Sequence, residues 1–104
     1  VEDFDLKKSK KGIRVKNISS SQIKPAAPGN VVYAGSGLRG YGNLVIIKHS
    51  DNMLSAYANN KEIIVEVGQS VSQNDAISRL DKNQIIYFEI RRDGSPVDPL
   101  RYLK

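Results

Sequence analysis

Apolar and polar residues alternate most regularly near the end of the chain, between positions 85 and 91. Successive side chains of a β-strand point to opposite faces, so Ile86, Phe88 and Ile90 fall on one face. The other face is formed by Ile85, Tyr87, Glu89 and Arg91. This pattern predicts a strand whose apolar face joins the core and whose second face forms the floor of a groove.

Shorter apolar or β-branched segments precede this strand and are separated by turn residues. They predict strands at 12–15, 31–34, 44–49, 53–58, 62–67 and 75–80, a turn at 68–70, and the end of a trimmed strand at 1–6. Alternation in the segment 53–58 places Tyr57 and Asn59 side by side on one surface. Prolines at 96 and 99 exclude a central strand there. No segment has a sustained helical period, and about six to eight short strands predict an all-β sandwich or barrel.

The length of 104 residues suits a single domain, which we expect at 10–104, after a trimmed strand end and basic loop at 1–9. The chain has no cysteine, so disulfides and thiolate metal sites are excluded. No apolar run reaches the roughly 18 residues of a membrane span.

A cluster of cations near the start of the chain supplies much of the net charge of +5. Its members are Lys7, Lys8, Lys10, Lys11, Arg14 and Lys16. Such a cluster attracts nucleic acid, anionic lipid or an acidic protein, or forms a solvated loop. Nucleic acid is disfavoured, because the chain has no groove-reading helix, no ribonucleoprotein-type aromatic motif and no zinc finger.

The segment 35–43 is rich in glycine and raises the question of a phosphate-binding loop. Such a loop needs a following helix, or Lys-Ser or Lys-Thr after its last glycine. Here Asn43 leads directly into an apolar, β-branched segment. We therefore expect a wide hairpin connection that displays Arg39 and Tyr41.

Candidate catalytic groups are few. His49 is the only histidine, whereas a catalytic zinc site usually takes three protein ligands that include histidine or cysteine. No Gly-x-Ser-x-Gly elbow is present to hold a nucleophilic serine. Glu89 would lie on the groove face, but Asp93 and Asp98 lie in turn-like surroundings and are expected to cap turns. The residues therefore disfavour an enzyme, and His49 is expected to be a hydrogen-bonded structural residue at a strand end.

Several separated blocks of the chain resemble a known family and occur in its order. They are Gly-Asn-Val-Val-Tyr-Ala-Gly at 29–35, the segment 40–49, Tyr-Ala-Asn at 57–59, Val-Gly-Gln-Ser-Val at 67–71 and Tyr-Phe-Glu-Ile-Arg at 87–91. These blocks resemble the LytM domain of lysostaphin-type zinc endopeptidases, from about Lys10 to Leu103. The resemblance implies a small antiparallel β-sandwich of the barrel-sandwich hybrid kind.

The metal and catalytic positions of that family are all altered in this chain. Active members bind zinc through a His-x-x-x-Asp motif and the second histidine of His-x-His, and two further histidines assist catalysis. Alignment by resemblance places Lys10, Arg14, Asn59, Ile85 and Tyr87 at these positions. A unit positive charge about 4 Å away repels a divalent ion by roughly 8 kcal/mol at an effective dielectric near 20. We therefore expect no metal and no cofactor.

Degenerate LytM domains of this kind resemble the EnvC and NlpD type of cell-division factors, and the loop at 37–44 is most like the NlpD type. The resemblance implies a non-catalytic activator of periplasmic N-acetylmuramoyl-L-alanine amidases, anchored in the outer membrane in the full-length protein. The amidase would bind in the vacated groove, at Lys10, Lys11, Arg14, Arg39, Tyr41, Asn59, Tyr87, Glu89 and Arg91. The alternative is a peptidoglycan-binding module without an activating role.

Overall fold

The computed structural model describes the chain at residues 12–16, 22–37, 40–50, 52–80, 85–93 and 95–97. Within these ranges the chain forms ten strands. They are β1 (Gly12–Lys16), β2 (Gln22–Ile23), β3 (Gly29–Gly35), β4 (Asn43–Lys48), β5 (Met53–Asn60), β6 (Glu62–Ile63), β7 (Ser70–Val71), β8 (Ser78–Arg79), β9 (Ile85–Arg92) and β10 (Ser95–Val97). The described residues contain no helix long and apolar enough to span a bilayer.

Two antiparallel sheets make up the described fold. The main sheet has seven strands in the order β1-β9-β5-β4-β3-β7, and β10 pairs with β9 beside β1. The second sheet has the order β2-β8-β6. Residues with positive φ at Asn52 (58°) and Asp93 (52°) lie at the turns that lead into β5 and out of β9. The all-β prediction is confirmed.

The core contains the apolar face of β9, as the alternation predicts. Phe88 and Ile90 belong to the main buried cluster, and Ile86 is also buried. Phe88 packs on Tyr57 of β5 with ring centroids 5.2 Å apart. The other members of the cluster are Val31, Val45, Ile47, Val65, Val71 and Ile77.

Asn60 joins the two sheets through its buried amide group. Its Nδ2 donates to the backbone oxygens of Asn43 (3.0 Å) and Tyr57 (2.6 Å) on the main sheet. Its Oδ1 accepts from the hydroxyl of Ser78 on β8 at 2.6 Å. Each polar atom of this side chain therefore has a partner, which removes the cost of burying it.

Two predicted strands are much shorter than expected, and one predicted turn runs directly into a short strand that was not predicted. The segments 62–67 and 75–80 pair only at β6 and β8, because residues 64–66 and 75–77 form no continuous ladder. The turn expected at 68–70 is present at 67–68, where Gly68 has a φ of 96° and the N–H of Gln69 donates to the backbone oxygen of Glu66 at 3.1 Å. Its last predicted residue begins β7, which pairs with the start of β3 through Val71 and Gly29. Pro96 lies in β10, which borders β9 on one side only, so its missing N–H leaves no central ladder broken.

The expected side-by-side placement of Tyr57 and Asn59 is wrong. Tyr57 is buried in the core with 2% exposure, whereas Asn59 is exposed. Asn59 has a φ of 67°, a left-handed conformation that ends the regular alternation of the strand. This backbone conformation turns Asn59 toward the opposite face of the sheet, beside Tyr87.

Candidate partner-binding cleft

The outer face of the main sheet is built by alternate residues of β4, β5 and β9. The register places Ala58 opposite Tyr87, Ala56 opposite Glu89 and Leu54 opposite Arg91. Cross-strand partners share a face, so apolar side chains of β5 lie beside polar side chains of β9. We call this surface the cleft face; its described residues are Leu44, Ile46, Leu54, Ala56, Ala58, Tyr87, Glu89 and Arg91.

A first cleft of about 480 Å³ opens at the end of this face. It is lined by Gly40, Tyr41, Gly42, Ala58, Asn59 and Tyr87. The Tyr41 and Tyr87 rings lie 6.4 Å apart at 46° and form one wall. Gly40 (φ 91°) and Gly42 (φ 62°) adopt the left-handed conformations on both sides of Tyr41 that glycine adopts without strain. The N–H of Asn59 donates to the backbone oxygen of Tyr41 at 2.9 Å, which fixes the wall to β5.

A second cleft of about 210 Å³ also has Tyr41 in its lining. Its lining is Tyr41, Leu44, Ile46, Leu54, Ala56, Glu89 and Arg91. Most of this lining is aliphatic, and the charged pair closes one end. Tyr41 is the residue shared by the linings of the two clefts, so a segment bound across both would contact it in each.

The polar residues of β9 form a ladder with spacing of two residues. The hydroxyl of Tyr87 donates to Glu89 Oε2 at 2.8 Å, and Nε of Arg91 donates to Glu89 Oε1 at 2.5 Å. The Glu89 side chain is 3% exposed, whereas that of Arg91 is 32% exposed. Both carboxylate oxygens therefore have donors and the negative charge is offset. The parts of this ladder that solvent reaches are the ring of Tyr87 and the guanidinium of Arg91.

The structure brings five of the nine expected groove residues together around the clefts. They are Tyr41, Asn59, Tyr87, Glu89 and Arg91. The Cα of Arg14 lies opposite that of Tyr87 in the β1–β9 register. Lys10, Lys11 and Arg39 lie outside the described residues.

Sequence reasoning did not include the aliphatic floor of the second cleft among the site residues. The half-buried Ile46, Leu54 and Ala56 form this floor. Alternation in 53–58 separates Leu54 and Ala56 from the core residues. The register that places them beside Glu89 and Arg91 depends on long-range pairing, which the pattern of one strand does not contain.

The side chains at the altered metal positions do not fit a zinc ion. The Asn59 amide donates from Nδ2 to the backbone oxygen of Ile85 at 2.6 Å. The Tyr87 hydroxyl donates its hydrogen to Glu89, and the residue whose Cα lies opposite that of Tyr87 is Arg14, a residue type that offers no lone pair to a metal ion. Among the residues with described side chains, no three of His, Cys, Asp or Glu lie close enough to hold a metal ion.

His49 lies on the opposite side of the sheet from the clefts and is hydrogen-bonded at both ring nitrogens. Nδ1 is 2.7 Å from the backbone oxygen of Pro28, and Nε2 is 2.7 Å from Ser55 Oγ. Ser55 Oγ is 2.8 Å from the hydroxyl of Tyr57, which accepts from the N–H of Ala26 at 2.9 Å. Burial raises the pKa of Tyr57, and the hydrogen bonds from Ser55 and Ala26 oppose this rise. The expectation of a hydrogen-bonded structural histidine is confirmed.

Comparison with known proteins agrees with this architecture. A model described as Peptidase family M23 matches residues 8–99. The lipoprotein NlpD/LppB homolog of Pseudomonas aeruginosa is 46% identical over 97 residues, which make up 89% of this chain and 33% of that protein. The murein hydrolase activator NlpD of Escherichia coli K12 is 45% identical over 97 residues, covering 89% of this chain and 26% of that protein.

The solution structure of lysostaphin matches the fold with a TM-score of 0.77 at 18% identity, covering 89% of this chain and 42% of that one. This match confirms the expected LytM-type sandwich. The chain spans only about a quarter to a third of the length of the two curated relatives. The family model covers most of the chain, and the chain belongs to peptidase family M23 as a LytM-type domain.

Proposed function

We propose that this domain is a non-catalytic activator of periplasmic N-acetylmuramoyl-L-alanine amidases, and that it binds the amidase through the cleft face. The names of the relatives support the function: one is a murein hydrolase activator and another is a lipoprotein. On this proposal the full-length protein works in the periplasm, anchored to the outer membrane, and acts when peptidoglycan is split between daughter cells.

The observation that carries the proposal is the position of Tyr41 between two clefts of different chemistry. The second cleft offers aliphatic surface on Leu54 and Ala56, and the first offers Asn59 and the Tyr87 ring. An amidase segment with an apolar side chain toward the second cleft and a polar one toward the first would use both. Tyrosine and arginine are enriched among residues that dominate interface energies, and Tyr41 and Arg91 are partly exposed here.

On this proposal the domain keeps the fold of the family and lacks catalysis because of the side chains that line its cleft. Both oxygens of Glu89 accept hydrogen bonds from neighbours on the same strand, so this carboxylate is poorly placed to act as a base. The Asn59 side-chain amide donates a hydrogen bond to the backbone oxygen of Ile85, and the Tyr87 hydroxyl donates one to Glu89. The cleft is therefore left to act as a binding surface.

Activation requires a difference in affinity between two states of the amidase. A domain that bound the closed and open amidase equally well would shift nothing, however tightly it bound. Moving an amidase from about 1% to about 99% open needs roughly a 10⁴-fold preference for the open state. The cleft face must therefore contact a segment that is available only when the amidase is open.

The test measures release of dye from labelled sacculi by each periplasmic amidase of the source bacterium, with and without this domain. We expect faster release with the wild-type domain and at least tenfold weaker activation with Tyr41→Ala. Tyr41 contacts Tyr87 at the cleft and lies outside the buried core cluster, so circular dichroism should report an intact fold. Binding affinity is measured in parallel by titration calorimetry.

Two variants that each remove one positive charge distinguish a contact at the cleft from general electrostatic attraction. Arg91→Gln should weaken binding, whereas Arg79→Gln should leave it unchanged. Arg79 carries the same charge but lies on β8 of the second sheet, in an exposed pair with Glu62. Equal activation by all three variants, or hydrolysis by the domain without an amidase, would contradict the proposal.

The alternative is a peptidoglycan-binding module without an activating role. The observation in its favour is the tyrosine wall and amide of the first cleft, which suit sugar rings and acetamido groups. Sedimentation of the domain with amidase-free sacculi distinguishes the two functions. Retention that requires Tyr41, together with no effect on any amidase, would favour the binding module.

A further inference from the structure

The buried carboxylate of Glu89 lies between two side chains that face different clefts. Tyr87 lines the first cleft, and Arg91 lines the second. Both side chains donate to Glu89: the Tyr87 hydroxyl to Oε2 at 2.8 Å, and Nε of Arg91 to Oε1 at 2.5 Å. One buried carboxylate therefore connects the two clefts.

The neighbouring strands offer this carboxylate no side-chain donor at its own level of the sheet. Gly12 of β1 and Ala56 of β5 lie opposite Glu89 in the register. Glycine has no side chain and alanine has only a methyl group, so neither side chain can hydrogen-bond to the carboxylate. The side-chain hydrogen bonds that the described residues make to Glu89 come from Tyr87 and Arg91. The burial of Glu89 and the orientation of these two neighbours therefore depend on each other.

The backbone of Glu89 gives the carboxylate a fixed place from which to orient its neighbours. Its strand β9 lies between β1 and β5 in the main sheet. Hydrogen bonds to an ionised group are roughly twice as strong as those between neutral groups. Ordering a long side chain at an interface costs free energy on binding, and a side chain that is already ordered avoids that cost. A carboxylate that orders two side chains before a partner arrives therefore favours binding.

We propose that Glu89 is a positioning residue for the partner-binding cleft. It holds the Tyr87 ring and the Arg91 guanidinium in the arrangement that the partner recognises, and it acts through these two side chains. Its exposure of only 3% supports an indirect role, because little of its surface can touch another protein. The inference rests on the proposed function, in which an amidase segment occupies both clefts.

The first test measures the affinity of the domain for the amidase that it activates, by titration calorimetry. Glu89→Gln keeps the size of the side chain and removes its charge, whereas Glu89→Asp keeps the charge and withdraws it from both donors by one methylene group. We expect each variant to bind about tenfold more weakly, because each loosens both neighbours. Glu62→Gln is the matched control: it alters an exposed pair with Arg79 on the second sheet and should leave the affinity unchanged. Wild-type affinity in Glu89→Asp would contradict the proposal, since the charge alone would then suffice.

The second test places Glu89→Gln in a background of Tyr87→Phe and Arg91→Gln, which removes both donor groups. A residue that acts only through these groups should have no further effect on affinity in that background. The melting temperature should move in the opposite direction. The double variant leaves a buried carboxylate without its donors, so adding Glu89→Gln should raise its melting temperature. A further tenfold loss of affinity in the triple variant would mean that Glu89 contacts the partner directly, and the positioning role would be wrong.

The third test uses the domain alone and separates this inference from the proposed function. The Nε–H of Arg91, observed by NMR, should exchange with water about tenfold more slowly in the wild-type domain than in Glu89→Gln. The Nε–H of Arg79 on the second sheet is the reference and should exchange at the same rate in both proteins. Equal exchange at Arg91 would overturn the inference even where the variants bind the amidase weakly. A wild-type domain that binds no amidase, with slow exchange at Arg91, would instead contradict the proposed function.

Discussion

The two faces of the main sheet hold their polar groups in different ways. On the core face, Ser55 and Tyr57 of β5 are buried and their bonds lead to backbone atoms of a loop. On the cleft face, Tyr87, Glu89 and Arg91 are bonded to one another along a single strand. The core-face groups therefore hold one part of the fold against another. The cleft-face groups neutralise one another and leave a ring and a guanidinium for a partner to contact.

The comparison is sharpest on β9, because this strand supplies both faces. Its inward residues are fully buried, whereas Ile85 at its start is 41% exposed and Arg91 near its end is half-buried. Neighbouring residues of one strand thus have separate roles. Substitutions at adjacent positions should affect stability and partner binding independently.

The largest effect is expected at Phe88, compared with its neighbour Tyr87. Phe88→Ala removes a buried ring that packs on Tyr57 and should lower the free energy of unfolding by about 3–5 kcal/mol. Tyr87→Ala removes a half-buried ring on the cleft face and should cost less than half as much. Urea denaturation of both variants provides the measurement. Equal losses would mean that the cleft face is part of the core.

A second comparison uses the adjacent residues Asn59 and Asn60. Asn60→Ala removes the amide that joins the sheets and leaves the buried Ser78 hydroxyl without its acceptor. The expected loss is about 1–3 kcal/mol in the free energy of unfolding, again from urea denaturation. Asn59→Gly is the neighbouring control, because glycine adopts the φ of 67° without strain. It should lower the free energy of unfolding less than Asn60→Ala does, and it should reduce the affinity for the amidase. A stable Asn60→Ala variant would show that the sheets are joined by apolar packing alone.

The sequence predicts the longer strands of the main sheet well, because each is an alternating or continuously apolar segment bounded by turn residues, whereas β7 and β10 of the same sheet are not predicted. Gly12–Lys16, Asn43–Lys48, Met53–Asn60 and Ile85–Arg92 all form near the expected positions. The second sheet is predicted poorly, since its two-residue strands are too short to carry a period and are fixed by contacts such as that of Asn60 with Ser78. Tyr41, Tyr87 and Arg91 could be chosen through the family resemblance, and the aliphatic floor could not.

Asn59 illustrates a residue that the family resemblance places in the groove and that strand alternation assigns to the wrong face. Resemblance marks it as a replaced histidine, and alternation places it beside Tyr57. Its φ of 67° shows that the backbone conformation is a further constraint at this position. Glycine adopts this conformation freely and asparagine tolerates it, whereas a β-branched residue is strained.

The third prediction follows from this constraint. Asn59→Val should lower the free energy of unfolding by about 1–2 kcal/mol, and Asn59→Gly should cost clearly less. Both variants lose the amide bond to Ile85, so the difference between them isolates the backbone. Thermal denaturation of the pair is sufficient. If the two variants have the same melting temperature, the left-handed conformation has no cost for valine, and the loss of stability comes entirely from the missing amide hydrogen bond.

The smallest effect is expected at alkaline pH and concerns Tyr57 on the core face. Burial raises the pKa of Tyr57 above its ordinary value near 10. Between that value and the raised one, the unfolded chain has released the proton and the folded chain still holds it, so stability falls as the pH rises, by at most about 1.4 kcal/mol per pH unit. Tyr57→Phe should flatten this fall, which urea denaturation at several alkaline pH values measures. Because removing the Tyr57 hydroxyl also breaks the bond to Ala26, the slopes with pH are compared and not the stabilities at one pH. A Tyr57→Phe variant with the wild-type slope would mean that a group other than the buried tyrosine of the core face causes the alkaline loss.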